Sequence, residues 1–329
     1  MENKISLIVE ANYLHKSPTN LLIVFLIFIL DISCSCHGFS MEFYTLSCPG
    51  AEYIVRDTVR SATSTDPSVP GKLLRLLFHD CFVEGCDASV LVEGSATERA
   101  DPANASLGGF EVIETAKREL ELFCPETVSC ADIIALAARD AVVMEGQIFR
   151  FRQAEEMGWF LKSRTSGLIL LTPSFTLDDM FKLFSSKGLS LADLVILSAH
   201  CTTFSDRFQV STKGNLTSVD SLLDKDYASR LAKKCATSAK ATVNIGSHNS
   251  LLIRHQYYNN LIAKRGLFQT DSILLDDQRT RNLVEQLASD SNDFYDGWSE
   301  SFLKLSSIGV KTEAEGDVRQ ICSRITMPS

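Results

Sequence analysis

The chain has no excess of positive charge. Its 32 Lys and Arg stand against 41 Asp and Glu, a formal net charge of −9. A strong nucleic-acid binder would need a basic balance or a basic stripe, and neither is present. Long apolar runs are scarce too. One block, LLIVFLIFIL at 21–30, is ended by Asp31 and is too short to cross a bilayer as a helix. No Cys-x-x-Cys pair occurs, which argues against zinc. No internal repeat or low-complexity tract is found. Composition is 45% hydrophobic and 22% charged, which excludes disordered and collagen-like architectures. The 329 residues allow one large domain or two that share a site.

What is plentiful is cysteine, at ten residues. The apolar block fits the h-region of a secretory signal, with Lys16 upstream and Ser33, Ser35 and Gly38 following. Residues 1–38 are therefore expected to be a leader, cleaved somewhere in 34–39. Its removal takes away Cys34 and Cys36, and His15 and His37 go with it. Eight cysteines remain: Cys48, Cys81, Cys86, Cys124, Cys130, Cys201, Cys235 and Cys322. An even number in a secreted chain predicts four disulfides, whose connectivity the spacing does not fix.

The body reads as mainly α. Apolar positions recur at helical spacing over 50–63, 71–83, 109–122, 129–145, 176–187, 191–200, 226–236, 256–265 and 280–307. Ser129 with Asp132, and Thr176 with Asp178 and Asp179, suit helix starts. Gly188 and Gly266 read as helix stops. Few runs alternate with period two. Residues 148–172 and 245–255 have no period at all.

The most informative stretch is LLRLLFHDCFVEGCDAS at 73–89. Arg75 and His79 are four apart, so a helix places them on one face. Leu73, Leu74, Leu76, Leu77 and Phe78 make their surroundings apolar. A buried guanidinium needs a partner or a ligand. Its charge favours a neutral imidazole beside it, which can act as a base. By itself such a pair is more often a helix-surface coincidence than a site. The residues that follow weigh against coincidence. Asp80, Asp87 and Ser89, with carbonyls from Val83 and Gly85, bring several hard oxygens into one loop, which suits calcium. Gly85 permits a tight turn, and Cys81 and Cys86 flank it.

With these residues in view, the chain resembles the secreted plant haem peroxidases (class III). The resemblance rests on FYTLSCP at 43–49, RLLFHDCFVEGCDAS at 75–89, VSCADIIALAARDAV at 128–142, KGLSLADLVILS at 187–198 and YYNNLIAKRGLFQTD at 257–271. It implies the plant peroxidase fold over 39–325, with a distal half at about 39–147 and a proximal half at about 174–325 enclosing haem b. It implies that His79 takes a proton from hydrogen peroxide and returns it to the departing oxygen, while Arg75 stabilises the charge that develops. Asn104 would fix the imidazole tautomer, Glu98 would belong to the same network, and Phe78 would touch the haem. The distal calcium ligands would be Asp80, Val83, Gly85, Asp87 and Ser89. The disulfides implied are Cys48–Cys124, Cys81–Cys86, Cys130–Cys322 and Cys201–Cys235. Small phenolic donors are the implied co-substrates. Asn104-Ala105-Ser106 is a glycosylation sequon, but a buried distal Asn would not be modified, so Asn215-Leu216-Thr217 is the better candidate. No nucleic-acid partner, no membrane association after leader removal, and a monomer are expected. Export to the cell wall is favoured over the vacuole.

The proximal half departs from the family pattern. Where the family has LSGAHTIG and, later, a second His before a cysteine, this chain has only Leu197-Ser198-Ala199-His200-Cys201, shorter by about seven residues. His200 can be read as the axial ligand or as the later His. Asp271 matches the residue that hydrogen-bonds the axial imidazole. The two aperiodic stretches share a possible origin. A coding sequence for the family's IPTGRRDGMVS, read one base out of frame, yields residues 151–161. A coding sequence for residues 245–255, read two bases in, yields SDPTTPSLFD, close to the family's DPxTPxxFD. Both stretches are therefore expected to be out of frame, and the second calcium site of the family to be lost. His248 and His255 are expected to face solvent, and Trp159 and Trp298 to be packing residues. The competing expectation is a peroxidase homologue that is catalytically impaired or holds no haem. A Cys/His hydrolase built on Cys201 and His200 is a poor third, because adjacent residues rarely form a nucleophile–base pair.

Overall fold

A computed structural model describes residues 43–144, 175–198, 208–210, 216–237, 256–310 and 318–325. The chain divides into two compact units, Met1–Gly38 and Phe39–Ser329. The first lies outside the described residues, as do the leader expectation, His15, His37, Trp159, Asn215, His248, His255, and the stretches 148–172 and 245–255.

The second unit is mostly helical. Its elements are α1 (Phe43–Ser47), α2 (Ala51–Thr65), α3 (Val69–Phe82), α4 (Phe110–Phe123), α5 (Cys130–Met144), α6 (Leu177–Ser186) and α7 (Leu191–Leu197). A two-stranded antiparallel pair follows, β1 (Phe208–Val210) with β2 (Leu216–Val219). Then come α8 (Lys225–Thr237), α9 (Gln256–Ile262), α10 (Gln269–Asp276), α11 (Gln278–Ser289) and α12 (Ser291–Ser306).

The helical periods place most of these elements within a few residues. The 280–307 expectation is corrected: two helices stand there, parted at Asp290, whose backbone is extended (φ −130°, ψ 124°). Ser289 and Asp290 are residues whose side chains compete for backbone groups, which favours a break. Gly266 is not a helix stop either. The left-handed residue after α9 is Lys264 (φ 54°). Gly266 instead allows a close approach, since a Cβ there would lie 3.0 Å from Asp271 Cβ and 3.0 Å from Leu261 Cδ2. Gly188 does end α6, with φ +78°.

In the first half, α2, α3, α4 and α5 pack together; in the second, α9 and α10 pack on α11, and α11 and α12 pack on α7. α3 also meets α12, so one continuous core serves both halves. A smaller cluster of Leu223, Leu231, Leu267 and Phe268 lies beside α8. Trp298 is 3% exposed, next to Phe294 and Phe302, as a packing residue should be. Three of the implied disulfides are present: Cys48–Cys124, Cys81–Cys86 and Cys130–Cys322. The fourth, Cys201–Cys235, falls outside the described side chains.

Candidate active site

α3 carries the first part of the site. Pro70 sits in its first turn, where a missing N–H costs nothing. Leu73, Leu76, Leu77 and Phe82 are essentially inaccessible, so the helix is fixed on nearly every side. Phe78 is buried, stacked on Phe82 with ring centroids 4.0 Å apart, and next to His79.

Arg75 and His79 do share a face. Arg75 Nε donates to His79 Nε2 at 3.2 Å, and a terminal nitrogen of the guanidinium donates to Ser106 O at 3.4 Å. On its other side, His79 Nδ1 lies 2.7 Å from Asn104 Oδ1. Asn104 Nδ2 donates to the Glu98 carbonyl at 2.8 Å. That bond fixes the amide orientation, so Oδ1 must accept. The proton of the neutral imidazole then sits on Nδ1, and Nε2 keeps its lone pair. The residues give a base, a cation beside its basic nitrogen, and an amide that locks the tautomer. Asn104 is 3% exposed, which removes it as a glycan acceptor.

After Phe82 the chain turns sharply. Gly85 has φ +117°, and a Cβ there would lie 2.8 Å from Gly309 Cα. Only a glycine allows this loop to abut the end of the last helix so closely. Cys86 N donates to Ile308 O at 2.8 Å across the same junction. Within the loop, Asp80 Oδ2 accepts from Ala88 N at 2.9 Å, and Asp87 Oδ1 accepts from Ser89 N at 2.9 Å. Arg319, brought in from the C-terminal segment, donates to Ala88 O at 2.8 Å.

Asp80, Asp87 and Ser89 are all at least 97% buried. Asp80 Oδ1 has no hydrogen-bond partner, and Ser89 Oγ and the Glu98 carboxylate have none beyond each other. Orphaned buried oxygens of this kind are costly unless a cation takes them up. Burial raises the Asp80 carboxyl well above its ordinary range, and the charges of Asp87 and Glu98 add to this. Burial likewise pushes Glu98 up to about 7; the nearby Ser89 hydroxyl opposes this, and Asp87 and Glu84 reinforce it. The oxygens therefore fit calcium. Among the described residues no group of three or more His, Cys, Asp and Glu forms a metal cage. The donor set here is different in kind: two carboxylates, a hydroxyl and backbone carbonyls.

Asp271 opens α10 and is 5% exposed. Its Oδ2 accepts from Phe268 N at 2.9 Å, and its Oδ1 accepts from the Tyr257 hydroxyl at 2.8 Å. Burial and the Asp271 charge hold the Tyr257 phenol well above its usual range. Helix α7, which leads toward position 200, is anchored twice. Asp193 accepts from Ser190, Ser301 and Lys304, and the Tyr258 hydroxyl reaches the carbonyls of Val195 and Ile196. His200 lies outside the described residues.

The sequence reading missed Tyr257, Lys187 and Arg319. Their only signal was membership of a matching motif or proximity to a cysteine. A groove of about 430 Å³ between α2 and α4 is lined by Asp57, Ser61, Asp66, Glu111 and Glu119. It contains none of the residues above.

Residues 55–290 match the peroxidase family. The chain belongs to the plant peroxidases. It is 51% identical over 311 residues to Peroxidase 18 of Arabidopsis thaliana, covering 91% of this chain and 94% of that protein. To Peroxidase 46 of the same plant it is 49% identical over 310 residues, covering 91% and 95%. To Peroxidase 66 it is 38% identical, covering 82% and 87%. Family and relatives together support peroxidase activity, with hydrogen peroxide and an electron donor as substrates and haem as cofactor. No helix of the described residues is long and apolar enough to cross a membrane.

Proposed function

We propose that this plant peroxidase reduces hydrogen peroxide and oxidises small phenolic donors, with His79 as acid and base. The observation that carries the reading is the tautomer lock. Asn104 holds the proton on Nδ1, so Nε2 is available to take a proton from peroxide. The same nitrogen can return that proton to the leaving oxygen. Arg75, beside Nε2, stabilises negative charge as the O–O bond breaks. Haem b, when bound, supplies the redox chemistry. Phe78 would contact it, and His200, supported by Asp271, would hold its iron. Asp80, Val83, Gly85, Asp87 and Ser89 would hold one calcium ion, and no second calcium is expected.

The same reading takes residues 1–38 as a leader and 39–325 as the catalytic domain of a secreted monomer. A second reading, a homologue without haem, is favoured by the shortened segment around His200. Reconstitution with hemin separates the two: a Soret band is expected, and its absence sinks the enzymatic account. Turnover of guaiacol with peroxide should follow. His79→Ala should keep the Soret band and lower kcat/KM by about 10²–10⁴-fold. Undiminished turnover would remove His79 from its role.

A further inference from the structure

The Val83 carbonyl already has a cation on it. Lys187 Nζ donates to Val83 O at 2.7 Å, bridging 104 residues of sequence. Lys187 is the C-cap of α6, where its backbone N–H bonds to Phe184 O. Phe184 is fully buried against Phe82 and Phe78 of α3, at 4.8 and 6.3 Å between ring centroids. The aromatic contact therefore holds the start of the lysine beside the end of the helix that carries His79 and Asp80. The ammonium also faces a carbonyl at an α-helix C-terminus, which favours positive charge.

Val83 O is one of the oxygens assigned above to calcium. A calcium ion lies about 2.3–2.6 Å from each oxygen ligand. An ammonium and a dication sharing one carbonyl oxygen are then near neighbours of like sign, and they repel. Without the metal, the ammonium is the cation that this carbonyl holds. With the metal, the same ammonium opposes it.

We infer that Lys187 is an internal competitor for calcium, a positioning residue that braces the loop when it is empty and lowers its affinity for the ion. The inference rests on the calcium reading of the loop. Its cause is charge, so the lysine should act differently in the two states of the loop. A merely structural contact would not.

The test is a calcium titration of the full chain by calorimetry, with terbium luminescence as a second probe; neither needs turnover. Lys187→Met is expected to tighten calcium about tenfold or more, since it removes a full charge next to the ion. Lys187→Arg keeps the charge and should bind within a few-fold of the unaltered chain. In EDTA, Lys187→Met should melt at a lower temperature than the unaltered chain, and the gap should narrow or reverse in calcium. Unchanged or weaker binding by Lys187→Met, or equal tightening by Lys187→Arg, overturns the inference. Asp80→Asn reports on the underlying reading. If the unaltered chain takes up no calcium, or Asp80→Asn takes it up equally well, that reading fails and the inference falls with it. If both behave as expected and Lys187→Met does not tighten binding, the inference alone fails.

Discussion

At the scale of single residues, the proposed chemistry turns on which nitrogen of His79 carries its proton. Asn104 decides that, and Glu98 decides how Asn104 is turned. Asn104→Val should leave His79 in place without a fixed tautomer. We expect peroxide reduction to slow by about 10²-fold, within the range of a lost acid–base contribution, as read in stopped-flow mixing with peroxide. Glu98 offers a second test. Its carboxyl is raised from 4.5 to about 7, so the folded, calcium-free chain binds a proton that the unfolded chain has lost. The associated stability is fully present below about pH 4.5 and is lost as pH rises through about 7. Asp80 is shifted in the same direction and adds to the slope. Melting curves in EDTA should therefore fall between pH 5 and pH 8, and Glu98→Gln should flatten part of that fall. A slope that is unaltered in Glu98→Gln would remove Glu98 as its source.

At the scale of elements, short capping contacts fix helices whose ends matter for the site. Asp193 accepts from Ser190 N and Oγ at 2.8 and 2.7 Å, from Ser301 Oγ at 2.7 Å, and from Lys304 Nζ at 3.3 Å. Burial resists its charge, but the hydrogen bonds prevail, and its carboxyl lies below the usual range. Asp193→Asn should cost about 1–3 kcal/mol in urea unfolding, because a buried bonded charge is removed while its donors remain. Gly85→Ala should be as damaging. It forces a side chain into a left-handed turn and against Gly309. About 1–3 kcal/mol of stability should go, together with calcium retention. The elements differ in how far the sequence revealed them. Residues 73–89 were legible as one neighbourhood because Arg75 and His79 share a helix face and the buried oxygens of Asp80, Asp87 and Ser89 follow in the same continuous run. β1 and β2 were not, since three or four residues give no usable alternation. The bond between Tyr257 and Asp271 was not legible either, because it joins two helices through a turn whose path no local pattern fixes. Lys187 was hidden for the same reason on a larger span: its partner is 104 residues away.

At the scale of the whole molecule, the two halves are joined by α3 against α12 and by Cys130–Cys322, which are 192 residues apart. Replacing both cysteines with Ala should cost about 2–5 kcal/mol and lower the melting temperature in oxidising buffer. In reducing buffer the difference should shrink, provided the reductant reaches this buried pair. The oxygen-rich loop rests on this junction through Gly85 and Gly309 and through the bond from Cys86 to Ile308. The order of synthesis gives that contact a consequence. The ribosome releases α3 early, yet the floor beneath its loop is among the last pieces to emerge. A nascent chain stalled before α12 would own every side chain of the ion cradle and still be unable to close it. If the loop takes up calcium as proposed, uptake must await the emergence of α12 and of the Ile308–Gly309 floor behind it.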